Sequence, residues 1–372
     1  MNDVRELRRL LGTHDPCSGT VMDDGRVSRA AEAAERMLAA APADARVRRI
    51  RSPRRRWTTV AGAVTAAAAL SGVLVLGTEA GTGPLAPPRA YAEEPAPLRV
   101  ESVEPADATE PLLTLAESAE TAEDAIAAAD GGDVAYVRTS RMDLLMVNGG
   151  GDGPDSSGFV PAETESWYAP DGSYREAYRP EPPEDLRGDH EEHLEILDSG
   201  PEDRTYPAGS LLEGMRPEAL PADPDEAAEA FARAPLNGGP GGEHDPEDLR
   251  VFMTGLDFYH DRLPMGPEER AAVLRALAER PEFRYVGRAD DREGRSGLLF
   301  EASVESDGAN PALRYRLLFD EDTGALLYRE EQQNGENPIG ERLSAFGLEP
   351  PVLTSYVTYL ESGWTEDLES RP

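Results

Sequence analysis

The feature that most constrains this chain is an uncharged run that directly follows a cluster of arginines. Thr58 to Gly77 is 20 residues of Ala, Val, Leu, Gly, Thr and one Ser, without an ionisable side chain. As an α-helix, a run of this length spans about 30 Å, the thickness of a bilayer's hydrocarbon core. A soluble helix of this length normally carries a polar stripe. The run therefore predicts one transmembrane helix.

The two flanks of this run predict its orientation. Six arginines stand in the nine positions before Trp57, whereas the first charge after the run is Glu79. Because positive charge collects on the cytoplasmic side, we expect a cytoplasmic N-terminus, an extracellular C-terminal domain and Trp57 at the lipid interface. The residues predicted to set the topology are Arg48, Arg49, Arg51, Arg54, Arg55 and Arg56. The residues predicted to anchor the chain in the lipid bilayer are Trp57, Thr58, Val60, Leu70, Val73, Leu74, Val75, Leu76 and Gly77.

A cleaved signal peptide and a buried soluble helix are the alternative interpretations. Ala90-Tyr91-Ala92 has the small-x-small form of a cleavage site. A signal peptide, however, has a short basic segment and a cleavage site close to its apolar core. Here Met1–Trp57 precedes the run and Thr78–Arg89 separates it from the motif. A retained, single-pass anchor in the cell membrane is the favoured interpretation.

Charge is distributed unevenly along the chain. All 37 basic residues are arginine, and the 72 acidic residues bring the net charge to −35. Met1–Trp57 has 13 arginines and 8 acids, while the remainder has 24 arginines and 64 acids. Such an acidic exported part argues against nucleic acid or another polyanion as its ligand.

The tail, Met1–Trp57, contains two short helical patterns, Asp3–Gly12 and Val27–Leu38. Two short amphipathic helices cannot enclose a core unaided. The tail is therefore either loosely helical or folds onto a cytoplasmic partner. Beyond the span, residues 78–111 are rich in Pro and Ala and read as an extended linker. We expect the exported domain to occupy residues 112–372.

Helix and strand patterns alternate through the exported domain. A helix is predicted from Leu112 to Asp130, and a β-rich segment at Val134–Val147. "ESWYAPDGSYREAYR" has the form of a hairpin in which Tyr168 and Tyr174 face each other. Further helices are predicted in "PADPDEAAEAFARA", in "DPEDLRVFMTGLDFYHDRL", each opening around Asp-Pro, and in "GPEERAAVLRALAERP". Further strands are predicted in "EFRYVGRADDREGRSGLLFEASVE", in "ALRYRLLFDEDTGALLYREEQQ" and in "VLTSYVTYLESGW".

The candidates for catalytic or metal chemistry are weak. His14 and Cys17 lack the spacing and the second cysteine of a zinc site. His190 and His193 in "DHEEHLE" are three residues apart, whereas a catalytic zinc helix needs His-Glu-x-x-His. We interpret His260 as a helix-surface or capping histidine and "DEDTG" (Asp320–Gly324) as a β-turn rather than a calcium loop. No nucleophile elbow or phosphate-binding loop is present in the sequence. The sequence therefore predicts a protein without enzymatic activity, cofactor or metal.

The order of these elements resembles a family of single-pass actinobacterial membrane proteins of unassigned function. The resemblance is carried by "YVRT", "WYAPDGSYRE", "ERAAVLRALAERPEFRYVGRADDREGRSG" and "LLFDEDTGALLY", and it covers most of Thr58–Gln333. Proteins of this kind often accompany sigma factors. The resemblance implies an exported α+β domain in which an antiparallel half-barrel sheet packs on helices, as in periplasmic lipoprotein carriers and the sigma-regulating proteins related to them.

Two functions are expected from this layout. In the first, the protein is a membrane-anchored envelope sensor or regulator. Its external domain binds a wall or lipid ligand, and its anti-sigma-like cytoplasmic tail contacts a sigma factor. In the second, it is a passive lipid or lipoprotein carrier, or a wall-binding module, whose tail only orients insertion.

Overall fold

A computed structural model describes the main parts of the domain predicted at residues 112–372, together with some residues before it. The described residues are 74–76, 95–122, 132–147, 156–181, 200–211, 218–235, 244–245, 247–306, 310–334, 343 and 348–372. The chain divides into two units, Met1–Ala63 and Val64–Pro372, and every described residue belongs to the second.

The described residues form eleven strands and four helices. The strands are β1 (Leu74–Leu76), β2 (Val100–Asp107), β3 (Val134–Val147), β4 (Ser156–Tyr168), β5 (Tyr174–Pro180), β6 (Glu202–Tyr206), β7 (Arg284–Asp290), β8 (Ser296–Val304), β9 (Ala312–Phe319), β10 (Leu326–Asn334) and β11 (Val352–Thr365). The helices are α1 (Thr109–Thr121), α2 (Pro224–Arg233), α3 (Leu249–His260) and α4 (Pro267–Ala278).

All the strands belong to one sheet. Its order is β2-β7-β8-β9-β10-β11-β3-β4-β5-β6, and β1 pairs in parallel with the end of β3. Every other pairing is antiparallel. The last strand of the chain, β11, lies between β10 and β3 and so joins the two halves of the sheet. The predicted α+β class, with an antiparallel sheet packed on helices, is confirmed.

The main core lies between the helices and the half of the sheet formed by β7–β10. Leu112 and Leu115 of α1 and Leu274 of α4 pack in one cluster with Leu317 and Phe319 of β9. All five side chains are at most 2% exposed. Their helical spacing and their strand alternation direct these side chains to one interface, which explains why the helices lie on this side.

The other side of the sheet is covered in part by the C-terminal residues. Trp167 Nε1 donates to the Ser370 carbonyl at 2.7 Å. Arg371 makes two bonds of 2.7 Å to Glu165, whose carboxylate is fully buried. Tyr136 and Arg179 also donate to Glu165, and these contacts hold the pKa of Glu165 below its usual value although burial opposes them. The end of the chain is thereby fixed against β4.

The predicted hairpins are confirmed. The turn at Asp291–Gly294 joins β7 to β8, and the "DEDTG" turn joins β9 to β10. In the second turn, the Asp320 carboxylate accepts bonds from the backbone N–H groups of Asp322 and Thr323, which closes the turn locally. The helix opening at Asp223-Pro224 is also as predicted, because Asp223 caps two N–H groups of α2.

Three boundaries differ from the predictions. Val100–Asp107, inside the predicted linker, forms the edge strand β2, since its backbone pairs with β7. The helix predicted from Leu112 to Asp130 instead begins at Thr109 and ends at Thr121, because the backbone of Ala122 is extended. The helix predicted to open at Asp245-Pro246 is instead capped by Asp248, whose carboxylate accepts from Arg250 N at 2.9 Å.

Leu74–Leu76 was predicted to be helical within the transmembrane segment. These three residues instead form strand β1, because their backbone pairs with Leu145–Val147. The rest of the predicted span, with Trp57, Thr58, Val60, Leu70, Val73 and Gly77, lies outside the described residues. The six topology-setting arginines lie outside them as well. Among the helices that the structure describes, none has the length and apolarity needed to cross a bilayer.

Candidate functional site

A row of large side chains crosses the helix-facing side of the sheet near one end. The strand registers place Trp364 opposite Ala135, Ala135 opposite Tyr168, Tyr168 opposite Tyr174, and Tyr174 opposite Tyr206. The rings of Tyr168 and Tyr174 stack with centroids 6.1 Å apart, and those of Tyr174 and Tyr206 with centroids 4.1 Å apart. We call the four aromatic residues, together with the small Ala135 between Trp364 and Tyr168, the aromatic row.

A tight turn sets the register of the aromatic row. Between β4 and β5, the Asp171 carboxylate accepts from the backbone N–H of Ser173 at 2.8 Å and from its hydroxyl at 2.6 Å. Gly172 adopts a φ of +78°, a conformation that glycine reaches without a steric penalty. The predicted pairing of Tyr168 with Tyr174 is therefore confirmed, and local turn chemistry explains it.

Helices α2 and α3 lie over the row and form a roof. Their close approach depends on Gly255 in α3, where an added Cβ would come within 2.4 Å of the Phe231 carbonyl oxygen. Phe231 of α2 packs edge-on against Tyr259 of α3, with ring centroids 5.6 Å apart. The residues that follow α3, among them Leu263 and Met265, continue the roof.

A cavity of about 1030 Å³ lies between this roof and the end of the aromatic row that runs from Trp364 to Tyr168. Its floor includes Trp364, Ala135 and Tyr168, and its roof includes Phe258 and Tyr259. A concave site with an apolar and aromatic lining is the usual form of a small-molecule binding site. This cavity is therefore the candidate functional site.

A second, polar cleft adjoins the cavity at Tyr168, which lines both. The Tyr168 hydroxyl donates to Glu176 at 3.4 Å, and burial raises the pKa of Glu176. Arg262 is 5% exposed, donates to the Phe258 carbonyl at 3.2 Å, and stacks 4.4 Å from the Phe258 ring centroid. The cleft holds a pocket of only about 30 Å³, so in this conformation a ligand body fits the cavity and not the cleft.

Buried charges continue this polar surface beneath α3. Arg329 of β10 pairs with Asp257 of α3 at 2.9 Å, and their side chains are 3% and 8% exposed. Tyr359 donates to Asp261 at 3.1 Å. Burial raises the pKa of Glu331 to about 7, although its Oε1 accepts a 3.1 Å bond from the Thr354 hydroxyl.

The histidines do not form a site among the described residues. His260 ends α3, where its Nδ1 donates to the Leu256 carbonyl at 3.0 Å and its ring lies 5.8 Å from the ring of Tyr359. Burial lowers the pKa of His260 to about 4. His14, Cys17, His190 and His193 lie outside the described residues. Within the part of the chain that the structure describes, no three His, Cys, Asp or Glu side chains are placed to share a metal ion.

The sequence patterns missed most of the candidate site. Tyr206 lies in a five-residue strand, Glu202–Tyr206, that no pattern predicted. Trp364 was assigned to a strand, but its place in the aromatic row depends on the pairing of β11 with β3, which is distant in sequence. The Pro-Asp-Gly turn at residues 170–172 was the available signal, and it located only the Tyr168–Tyr174 pair.

Comparison with known proteins gives little to transfer. No family model and no curated protein matches the chain, so membership of the actinobacterial family stays a prediction. A crystal structure of an outer membrane lipoprotein-sorting protein domain from Vibrio parahaemolyticus aligns over 70% of this chain and 95% of its own length, at 10% identity. The TM-score is 0.19, too low to carry an argument about fold or function.

Proposed function

We propose that the exported domain is a non-enzymatic binding module whose cavity holds an apolar or amphipathic ligand. The observation that supports this proposal is the cavity of about 1030 Å³ between the aromatic row and the α2–α3 roof. Its volume lies at the upper end of the usual range for small-molecule sites. We further propose that the sheet curves around this cavity as a half-barrel. A lipid or a lipid-modified wall component has the chemistry to fill such a space.

The experiment that tests this proposal measures the binding of an uncharged, largely apolar probe. The full chain is reconstituted in phosphatidylcholine nanodiscs and titrated with octanol by calorimetry, and protein-free nanodiscs serve as the blank. Ala219 lines the cavity and is exposed, so Ala219→Trp introduces a large side chain at its edge without displacing the core. Ala222 is also exposed and is not among the cavity's lining residues, so Ala222→Trp is the matched control.

We expect saturable octanol binding to the wild type and to Ala222→Trp. Ala219→Trp should weaken it by about tenfold, which corresponds to about 1.4 kcal/mol of lost contact. Octanol binding that is unaffected by Ala219→Trp, or absent from the wild type, would contradict the proposed function. Circular dichroism of each variant separates loss of binding from loss of folding.

For the remainder of the chain we propose a single-pass membrane anchor in the part of the uncharged run that precedes Leu74, with a cytoplasmic tail that contacts a sigma factor. The support is the uncharged run with its arginine flank. Strand β1 at Leu74–Leu76 confines the helical part of such an anchor to the residues before it. Co-purification of a sigma factor with the full chain, and its loss on reversal of the tail's arginine charges, distinguishes a regulator from a passive carrier.

A further inference from the structure

The charged side chains around the cavity are mostly acidic. Of the described residues that line it, four are acidic and one is basic. These residues are Asp133, Asp171, Glu218, Glu269 and Arg233. We call them the rim. Negative charge next to an apolar space favours ligands that carry a positive charge.

The single basic residue of the rim is already paired. Arg233 Nη1 donates to Glu229 on the same helix at 3.2 Å, and both side chains are more than half exposed. Asp171 is occupied by the turn, where it accepts from Ser173. Glu218 and Asp133 are exposed, and Glu269 is half-buried, at the first turn of α4. The rim therefore offers carboxylates, and its guanidinium is partly neutralised.

The aromatic side chains that line the cavity also favour a cationic ligand over an anionic one. Trp364 and Tyr259 contribute to the lining. Tyr168 and Phe258 also line it, but the Arg262 guanidinium already lies 5.9 Å and 4.4 Å from the centroids of these two rings. The faces of aromatic rings carry negative quadrupole charge and attract cations within about 6 Å of the ring centroid. An anionic group at this position would meet both these faces and the rim carboxylates, and the exported part is strongly acidic as a whole, with 64 acids against 24 arginines.

We infer that the ligand of this cavity is an amphiphile with an apolar body and a cationic group. The apolar body occupies the space over the aromatic row, and the cationic group lies at the rim beside Glu218 and Glu269. This inference rests on the proposed function and narrows its ligand class. An alkylammonium compound is the simplest molecule with this chemistry.

Three probes, each with a straight chain of eight carbons, test the inference. Octyltrimethylammonium, octanol and octanoate are titrated separately into the full chain in phosphatidylcholine nanodiscs, whose lipid carries no net charge. We expect the cation to bind about fivefold more tightly than octanol, and octanoate to bind about fivefold more weakly, as two or three partly screened charge contacts allow. The preference for the cation should also fall as salt is added.

Two pairs of substitutions locate the effect. Glu218→Gln with Glu269→Gln should reduce the preference for the cation over octanol, measured as the ratio of their affinities in the same variant, to about twofold. The control is Glu226→Gln with Glu268→Gln, two exposed acids on α2 and α4 that are not among the lining residues. It should retain the fivefold preference.

The outcomes separate the inference from the proposed function. Octanoate binding as tightly as octyltrimethylammonium, or an equal loss of preference in the control pair, would overturn the inference while octanol still bound in the cavity. Failure of all three probes to bind, or binding that Ala219→Trp leaves unchanged, would instead overturn the proposed function. Cation preference that is lost only in the Glu218 and Glu269 variant supports both.

Discussion

The two halves of the sheet present different surfaces on the same side. In the β7–β10 half, Phe300, Leu317 and Phe319 point toward the helices and are at most 1% exposed. In the other half, formed by β3–β6 and the end of β11, the same side carries the aromatic row and then Ser166 and Glu176 in the next register row. The apolar half is filled by helices, whereas the aromatic and polar half borders a cavity. The first half forms the main core, and the second leaves a space between the sheet and the helices.

The two halves meet where α3 crosses β10 and β11. Arg329 and Glu331 stand on β10 where the apolar surface gives way to the polar one, and both are buried. A buried charge is costly unless it is paired, and removal of one partner exposes the full cost for the other. We therefore expect substitutions at this boundary to have the largest effect on the stability of the fold.

The largest effect is expected from Asp257→Asn. The substitution leaves the Arg329 guanidinium buried without its 2.9 Å carboxylate partner. We expect the free energy of unfolding to fall by about 3–5 kcal/mol. Urea unfolding followed by circular dichroism measures the change.

Two further variants define what this result means. Glu229→Gln breaks an exposed pair with Arg233 and should cost less than about 0.5 kcal/mol. Asp257→Leu combined with Arg329→Met removes both charges and should recover most of the loss. If Asp257→Asn lowered the free energy of unfolding no more than Glu229→Gln does, the buried Arg329–Asp257 pair would not be what stabilises the boundary between the halves.

The next effect concerns Glu331 and pH. Burial raises the pKa of Glu331 from 4.5 to about 7, while Asp257 and Asp143 also favour its protonated form and Arg329 opposes them. Between these values the native carboxyl holds a proton that the unfolded one has lost. The contribution of Glu331 to stability is therefore complete below about pH 4.5 and is lost as pH rises through about 7, on the order of 3 kcal/mol.

The contribution of the neighbouring His260 to stability changes with pH in the opposite direction. Burial lowers its pKa from 6.5 to about 4, so the native ring stays neutral while the unfolded ring is charged, and stability falls as pH drops through this window.

We expect Glu331→Gln to be more stable than the wild type at about pH 8 but not at about pH 4.5. Urea unfolding at both pH values measures the difference. A variant less stable than the wild type at the higher pH would show that the Glu331 carboxylate is stabilising.

The apolar half was largely predictable from the sequence. Ala271, Leu274 and Leu277 recur at helical spacing, and all three are fully buried in α4. The hairpins at Asp291–Gly294 and Asp320–Gly324 follow from local turn residues. Such features depend on neighbours within a few positions, so sequence periodicity is enough to indicate them.

The boundary at β10 and the cavity half were not predictable in the same way. "REEQQ" on β10 has the composition of an exposed segment, but all five residues are buried because β10 is a central strand. The aromatic row joins Trp364 to residues more than a hundred positions earlier, through pairing that no local pattern specifies. The candidate site therefore depends on long-range topology, whereas the core depends on local periodicity.

The smallest effect compares one aromatic residue from each half. Trp364 lines the cavity, whereas Tyr285 of β7 packs against Phe300 with ring centroids 5.6 Å apart. Both side chains are half-buried, so leucine at either position keeps an apolar group. Trp364→Leu should weaken octanol binding about threefold, since the ligand loses an aromatic wall, and Tyr285→Leu should lower the unfolding free energy by about 1 kcal/mol without affecting octanol. Calorimetry and urea unfolding of both variants test this. If Trp364→Leu lowered stability but left octanol binding unchanged, the half of the sheet that borders the cavity would act as core, like the β7–β10 half, and not as a binding site.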